Sequence, residues 1–166
     1  MFDPTAYENM KVVIEGTAYD LDLEGQIKVV DRKDIVDLAT LTRKYEITFC
    51  LKQSSAILAK LTLEAKLNQL AAEILQKGDP KHIGAFVNIS FTWNDTGKKY
   101  IDRIKEHWGP EHNYEERKIY SSLNGVKEEI IINFSRLITE DMIDDLVEMF
   151  HYSVQTLKKS INLSRM

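Results

Sequence analysis

The sequence predicts an α+β fold: a mostly antiparallel sheet of about six strands, with two long amphipathic helices and one or two short ones packed on it. Three observations carry that prediction. Apolar and polar residues alternate over 45–51 and again over 83–93, which is the period of a half-buried strand. Asn124-Gly125 sits between two further alternating runs and marks a hairpin, so neighbouring strands should run antiparallel. Finally, Ile143, Val147, Phe150, Val154, Leu157 and Ile161 recur every three or four residues, the stripe of a long amphipathic helix.

Taken in order, Asp3-Pro4 is a favourable helix opening, because the carboxylate caps and proline's missing N–H costs nothing there. Tyr7, Met10 and Ile14 would line one face of a short helix closed by Gly16, with a strand over Met10–Ile14 as the rival reading. Tyr19, Leu21 and Leu23 then alternate with Asp20 and Asp22. A loop at Glu24-Gly25-Gln26 would set Leu23 opposite Ile27 and Leu21 opposite Val29 in a hairpin. The stretch 35–41 is ambiguous. A strand over 45–51 follows, with Cys50 on its polar-facing side. Ser54 or Ser55 is expected to cap a helix running to about residue 77, with Leu63, Leu67, Leu70 and Ile74 as its buried stripe and Gly78 and Pro80 as its stop. The strand at 83–93 faces Val87, Ile89, Phe91 and Trp93 one way. Asp95 or Thr96 then opens a short helix stopped by Gly109-Pro110. A type I′ turn at Asn124-Gly125 would set Leu123 against Val126 and Ile119 against Ile130, with Lys118 diagonal to Glu129. The last helix starts at Thr139.

No linker, low-complexity tract or composition shift divides the 166 residues, so one domain over 1–166 is expected. Residues 44–77 and 127–159 share a strand-then-helix order, which hints at duplication. Net charge is −4, which disfavours nucleic acid, because phosphate neutralisation normally demands a basic excess. No apolar run is long enough to span a bilayer, and the N-terminus lacks a signal-peptide pattern. With a single cysteine there is no internal disulfide. A cytoplasmic location is the expectation, and no cofactor is implied.

Two constellations invite chemistry. The segment from Asp20 to Asp31 resembles an EF-hand calcium loop: Asp20, Asp22 and Glu24 take its first, third and fifth places, Gly25 the sixth, and Asp31 the twelfth. That resemblance would make them ligands of a hard cation. Leucines at the second and fourth places fit better with acids on the wet face of a hairpin. Separately, His107, Glu111 and His112 supply two imidazoles and a carboxylate, a ligand set for a catalytic zinc with one position left open for water. Gly109-Pro110 breaks the helix between the histidines, so spacing does not fix their geometry. Nearby, Glu115, Glu116, Glu128 and Glu129 alternate with Arg117, Lys118 and Lys127, as an exposed sheet face would. No nucleophile elbow and no phosphate loop is present. Asp95-Thr96-Gly97-Lys98-Lys99 reads as a helix cap followed by solvated lysines.

The element order is similar to that of small secretion-chaperone-like α+β domains, a likeness of topology alone. The expectation is therefore a non-catalytic interaction or adaptor module that uses a free sheet edge, with a homodimer among its possible states. The rivals are a metal-dependent enzyme built on His107, Glu111 and His112, and a calcium module built on Asp20, Asp22, Glu24 and Asp31.

Overall fold

Alternation of apolar and polar residues builds the sheet, and pairing extends it to six strands. In a computed structural model describing residues 6–66, 83–95 and 99–162, α1 (Ala6–Leu23) leads into β1 (Ile27–Asp37), β2 (Thr42–Leu51) and β3 (Ser54–Ala65). There follow β4 (Gly84–Asn94), α2 (Tyr100–Trp108), β5 (Asn113–Ser121) and β6 (Gly125–Thr139). A single 3-10 turn (Glu140–Met142) then leads into α3 (Ile143–Asn162). The strand order is β1-β2-β3-β4-β6-β5, and every neighbouring pair is antiparallel. The fold is α+β, as the alternation and the hairpin signal predict.

One face of the sheet is apolar and carries the helices. Its pairing rows run Phe49–Ala59–Phe91–Ile130 and Ile47–Leu61–Ile89–Ile132, all fully buried. Phe150 of α3 meets Phe49 at a ring separation of 4.7 Å, and Tyr100 of α2 meets Trp93 edge-on at 5.4 Å. Leu146, Val154, Leu157 and Ile161 complete the buried side of α3. Two of the buried hydroxyls on that helix return to its own backbone: Ser153 donates to the Phe150 carbonyl and Thr156 to that of Tyr152.

Several local expectations change. Gly16 does not stop α1, because the buried stripe Tyr7, Met10, Ile14 continues through Ala18 and Leu21 at helical spacing. The alternation of Tyr19, Leu21 and Leu23 is therefore not a strand, and Tyr19 and Leu23 are exposed. Ser54 opens a strand rather than a helix: Ile57, Ala59, Leu61, Leu63 and Ala65 are buried at every second position, a period that outweighs the single helical spacing from Leu63 onward. In the suggested repeat, 54–65 is thus strand where the corresponding part of 127–159 leads into α3.

At the last hairpin Gly125 takes φ 79° but Asn124 does not enter the left-handed region, so the turn is not type I′. A longer loop closed by N–H donation from Leu123 and Asn124 to Ser121 Oγ sets Tyr120 opposite Val126 and Ile119 opposite Lys127. Lys118 faces Glu128, and Arg117 faces Glu129. Cys50 is buried despite its place in the polar phase of β2. The Asp3-Pro4 cap, the later part of the 54–77 stripe with Gly78 and Pro80, and Thr96-Gly97-Lys98 lie outside the described residues.

Candidate functional site

The calcium-loop acids occupy three different elements. Asp20 and Asp22 belong to α1, Glu24 to the turn after it, and Asp31 to β1. Helix geometry points the two aspartates away from a common centre, and three of the four acids have a local partner. Asp22 Oδ2 accepts the Val29 N–H at 2.9 Å, which ties the end of α1 to β1. Glu24 accepts from Gln26 Nε2, and Asp31 accepts the Arg32 N–H.

The histidines are likewise separated. His107 lies flat on Tyr152, with ring centroids 4.1 Å apart and planes within 10°. Its carbonyl accepts the Tyr152 hydroxyl, and its Nδ1 lies 3.4 Å from Lys159 Nζ. Burial, reinforced by the Lys159 charge, holds the imidazole pKa below its ordinary value, so this ring is kept neutral. His112 instead packs edge-on against Trp108, Tyr114 and Phe134. Glu111 is exposed. Gly109, at φ 90°, ends α2, so His107 stays in the helix and His112 falls in the connection to β5. Among the described residues no group of three His, Cys, Asp or Glu side chains converges to hold a metal ion.

What the tertiary structure brings together instead is a rim and a polar face. All three described helices pack on the apolar side of the sheet. The other side is laid out in rows across the strands: Thr48–Lys60–Ser90–Ile131–Glu115 and Glu46–Thr62–Asn88–Asn133–Asn113. Lys60 and Glu46 approach to 3.9 Å, and Arg117 and Glu129 to 3.4 Å. A shallow depression crosses this face and adjoins a second one that reaches Ile35, Asp37, Thr40 and Thr42 at the β1–β2 hairpin.

That hairpin forms one rim of the sheet. β1 pairs only with β2, so its other edge carries no described strand. Its inner side is anchored to α1 by ions: Asp34 Oδ2 accepts from Lys11 at 2.9 Å and from Arg43 at 3.1 Å, and Arg43 also pairs with Glu8. Tyr45 donates to Glu15 at 2.9 Å, and Arg32 meets the same carboxylate at 3.3 Å. Burial raises the Tyr45 hydroxyl pKa far above its ordinary value, and the Glu15 hydrogen bond adds to that, so it stays a donor. Beyond this network the chain is exposed from Val30 to Leu41, and Val30, Ile35, Val36, Leu38 and Leu41 are its large apolar residues. Leu38 is 82% exposed and Val36 54%, which is unusual for apolar side chains grouped on one hairpin. The run 35–41 is ambiguous in the sequence, and that ambiguity was its only local trace of this rim.

No helix among the described residues is long and apolar enough to cross a membrane. No family model, curated protein or solved structure matches the chain.

Proposed function

We propose that this protein is a non-catalytic interaction module that associates through the free edge of β1, and that its partner there is a second copy of the same chain. The observation that carries the reading is the exposed apolar group Val30, Ile35, Val36, Leu38 and Leu41 on an edge strand. An unpaired edge offers its N–H and C=O groups to another strand, and natural edges are guarded against this by charge and bulges. Here a bulge at Val29/Asp31 and the charges of Asp31, Arg32, Lys33 and Asp34 guard the first half of β1. The second half, Ile35 onward, has only Asp37.

The unguarded half is self-complementary. In an antiparallel pair centred on Val36, Val36 of each copy faces Val36 of the other and Ile35 lies opposite Asp37, so no like charges stand opposite one another. A two-fold axis there repeats every contact, as isologous interfaces do. The net charge of −4 favours a protein partner over nucleic acid. The buried, unbridged Cys50 suits a reducing cytoplasm.

Sedimentation velocity from micromolar to millimolar protein tests the reading, with Val36→Asp beside the wild type. Self-association weakened at least about tenfold by a charge at this exposed position supports it. A wild type that stays monomeric throughout, or a dimer that Val36→Asp leaves unchanged, overturns it.

A further inference from the structure

A different part of the sheet carries an independent inference. Between Asn133, which pairs with Asn88, and Leu137, which pairs with Phe86, β6 contains two more residues than β4. Ser135, in the middle of this bulge, has φ 51°, a left-handed conformation that non-glycine residues rarely adopt inside a strand. It is held there from both sides. Its N–H donates to Asn133 Oδ1 at 2.9 Å, and its hydroxyl accepts from Asn113 Nδ2 at 3.2 Å. Strain maintained by such bracing points to a task for the residues it aims.

Those residues are Phe134 and Arg136. Because the bulge adds an even number of residues, both stay on the same side of the sheet as Ile132 and Ile138. Together with Trp108, His112, Ile138 and Met149 they line a pocket of about 250 Å³ that is open to solvent. Its walls are mostly carbon: Trp108 and Phe134 meet at 5.6 Å between ring centroids, and His112 stands edge-on to Phe134 at 5.1 Å. The lining matches that of small-molecule sites, which are apolar with a few placed polar groups, and the small volume suits a ligand of one flat ring system.

The polar groups are biased toward donation. Arg136 can only donate, and among the described residues no carboxylate lines the pocket. The indole nitrogen of Trp108 is buried and has no hydrogen-bond partner among the described residues, so its resonance is free to report changes at the adjoining ring face. Arg136 meets Asp145 at 3.8 Å, with both side chains more than half exposed, a contact too weak and too wet to occupy the guanidinium. A ligand that satisfies this set needs an apolar, flat body and an anionic acceptor at one end.

We propose that the β6 bulge pocket binds a small aromatic carboxylate, with its ring against Trp108, Phe134 and Met149 and its carboxylate on Arg136. Aromatic walls favour stacked or edge-on rings, and a guanidinium takes a carboxylate through two parallel hydrogen bonds. The hydroxyl-braced bulge keeps Arg136 facing the pocket before the ligand arrives. None of these groups belongs to β1, so the site does not depend on self-association.

Three probes that share one ring test it: 2-naphthoate, naphthalene-2-methylamine and 2-naphthol, titrated into uniformly ¹⁵N-labelled protein. The Trp108 indole N–H resonance reports the pocket, and that of Trp93, which donates to Glu128, is the internal control. The expected result is a saturable shift of Trp108 with naphthoate, a much weaker one with naphthol and none with the amine, while Trp93 stays still. Arg136→Gln, at an exposed position, should keep the folded spectrum and lose roughly tenfold or more in naphthoate affinity, as removal of a charged hydrogen-bond partner does. Absence of saturation with naphthoate, equal binding of all three probes, or naphthoate affinity unchanged in Arg136→Gln overturns the proposal.

Discussion

Glycine to alanine at two positions should move stability in opposite directions. Gly84 sits in β4 opposite Thr139 of β6, and a Cβ there would lie 2.0 Å from the Ile138 carbonyl oxygen and 2.9 Å from its carbonyl carbon. Real Cβ atoms essentially never come closer than 3.0 Å, so the two strands would have to part by roughly 1 Å. The obstacle is backbone within a paired ladder, so no side chain can swing aside. Overpacking costs about 1–3 kcal/mol. Loosening one or two ladder hydrogen bonds adds about 1 kcal/mol each. The expected loss for Gly84→Ala is therefore about 2–5 kcal/mol, a fall in Tm of roughly 4–20 °C for a chain of this length. Gly16 lies exposed in the middle of α1 with nothing within 4 Å of the position a Cβ would take. There the substitution only restricts the unfolded chain, and Gly16→Ala should stabilise by about 0.5–1 kcal/mol. Urea denaturation followed by far-UV circular dichroism, extrapolated linearly to water, measures both. The reasoning fails if Gly84→Ala falls within about 0.5 kcal/mol of the wild type, or if Gly16→Ala is less stable than the wild type.

Two further predictions concern titration and reactivity. Burial raises the Asp34 carboxyl, but the Lys11 hydrogen bond and the Arg43 charge outweigh it and hold the pKa below its ordinary value; Glu8 is lowered by Arg43 and Lys11 against the same burial cost. Carboxyls depressed in the folded state stabilise it fully above their unfolded pKa of about 4, and that contribution is lost as pH falls through the folded values. Asp34→Asn should therefore cost about 1 kcal/mol at neutral pH, after allowing for solvent screening, and almost nothing at low pH. Equal destabilisation at pH 7 and pH 3, read from urea midpoints, would argue against this ion network. Cys50 is 2% exposed, and burial raises its thiol pKa. Ellman's reagent should modify it only as fast as the chain opens, with the rate rising in proportion to the unfolded fraction in sub-denaturing urea; prompt labelling in water would place Cys50 at the surface instead.

Local pattern alone determined the α+β class, the antiparallel pairing, β2, β4 and α3, because each carries a long run of one period with its stop signals beside it. The alternation Tyr45, Ile47, Phe49 reads as a strand whatever lies across from it. Where two periods coincide, only tertiary burial chose between them. Leu21 fits a strand with Tyr19 and Leu23, yet it also completes the helical stripe of Ile14 and Ala18, and the longer buried face against the sheet prevailed. Ser54–Ala65 shows the reverse: a plausible serine cap and a leucine spacing lost to five alternating positions buried between β2 and β4. The candidate sites followed the same division. Asp20, Asp22, Glu24 and Asp31, or His107, Glu111 and His112, have suitable chemistry and spacing, but coordination depends on direction. A helix, a turn and a strand send those side chains apart. Conversely, Trp108, His112, Phe134, Arg136 and Met149 come from three separate segments, and no sequence spacing relates them. Only the placement of β6 between β4 and β5, with a two-residue bulge opposite α3, brings them around one pocket.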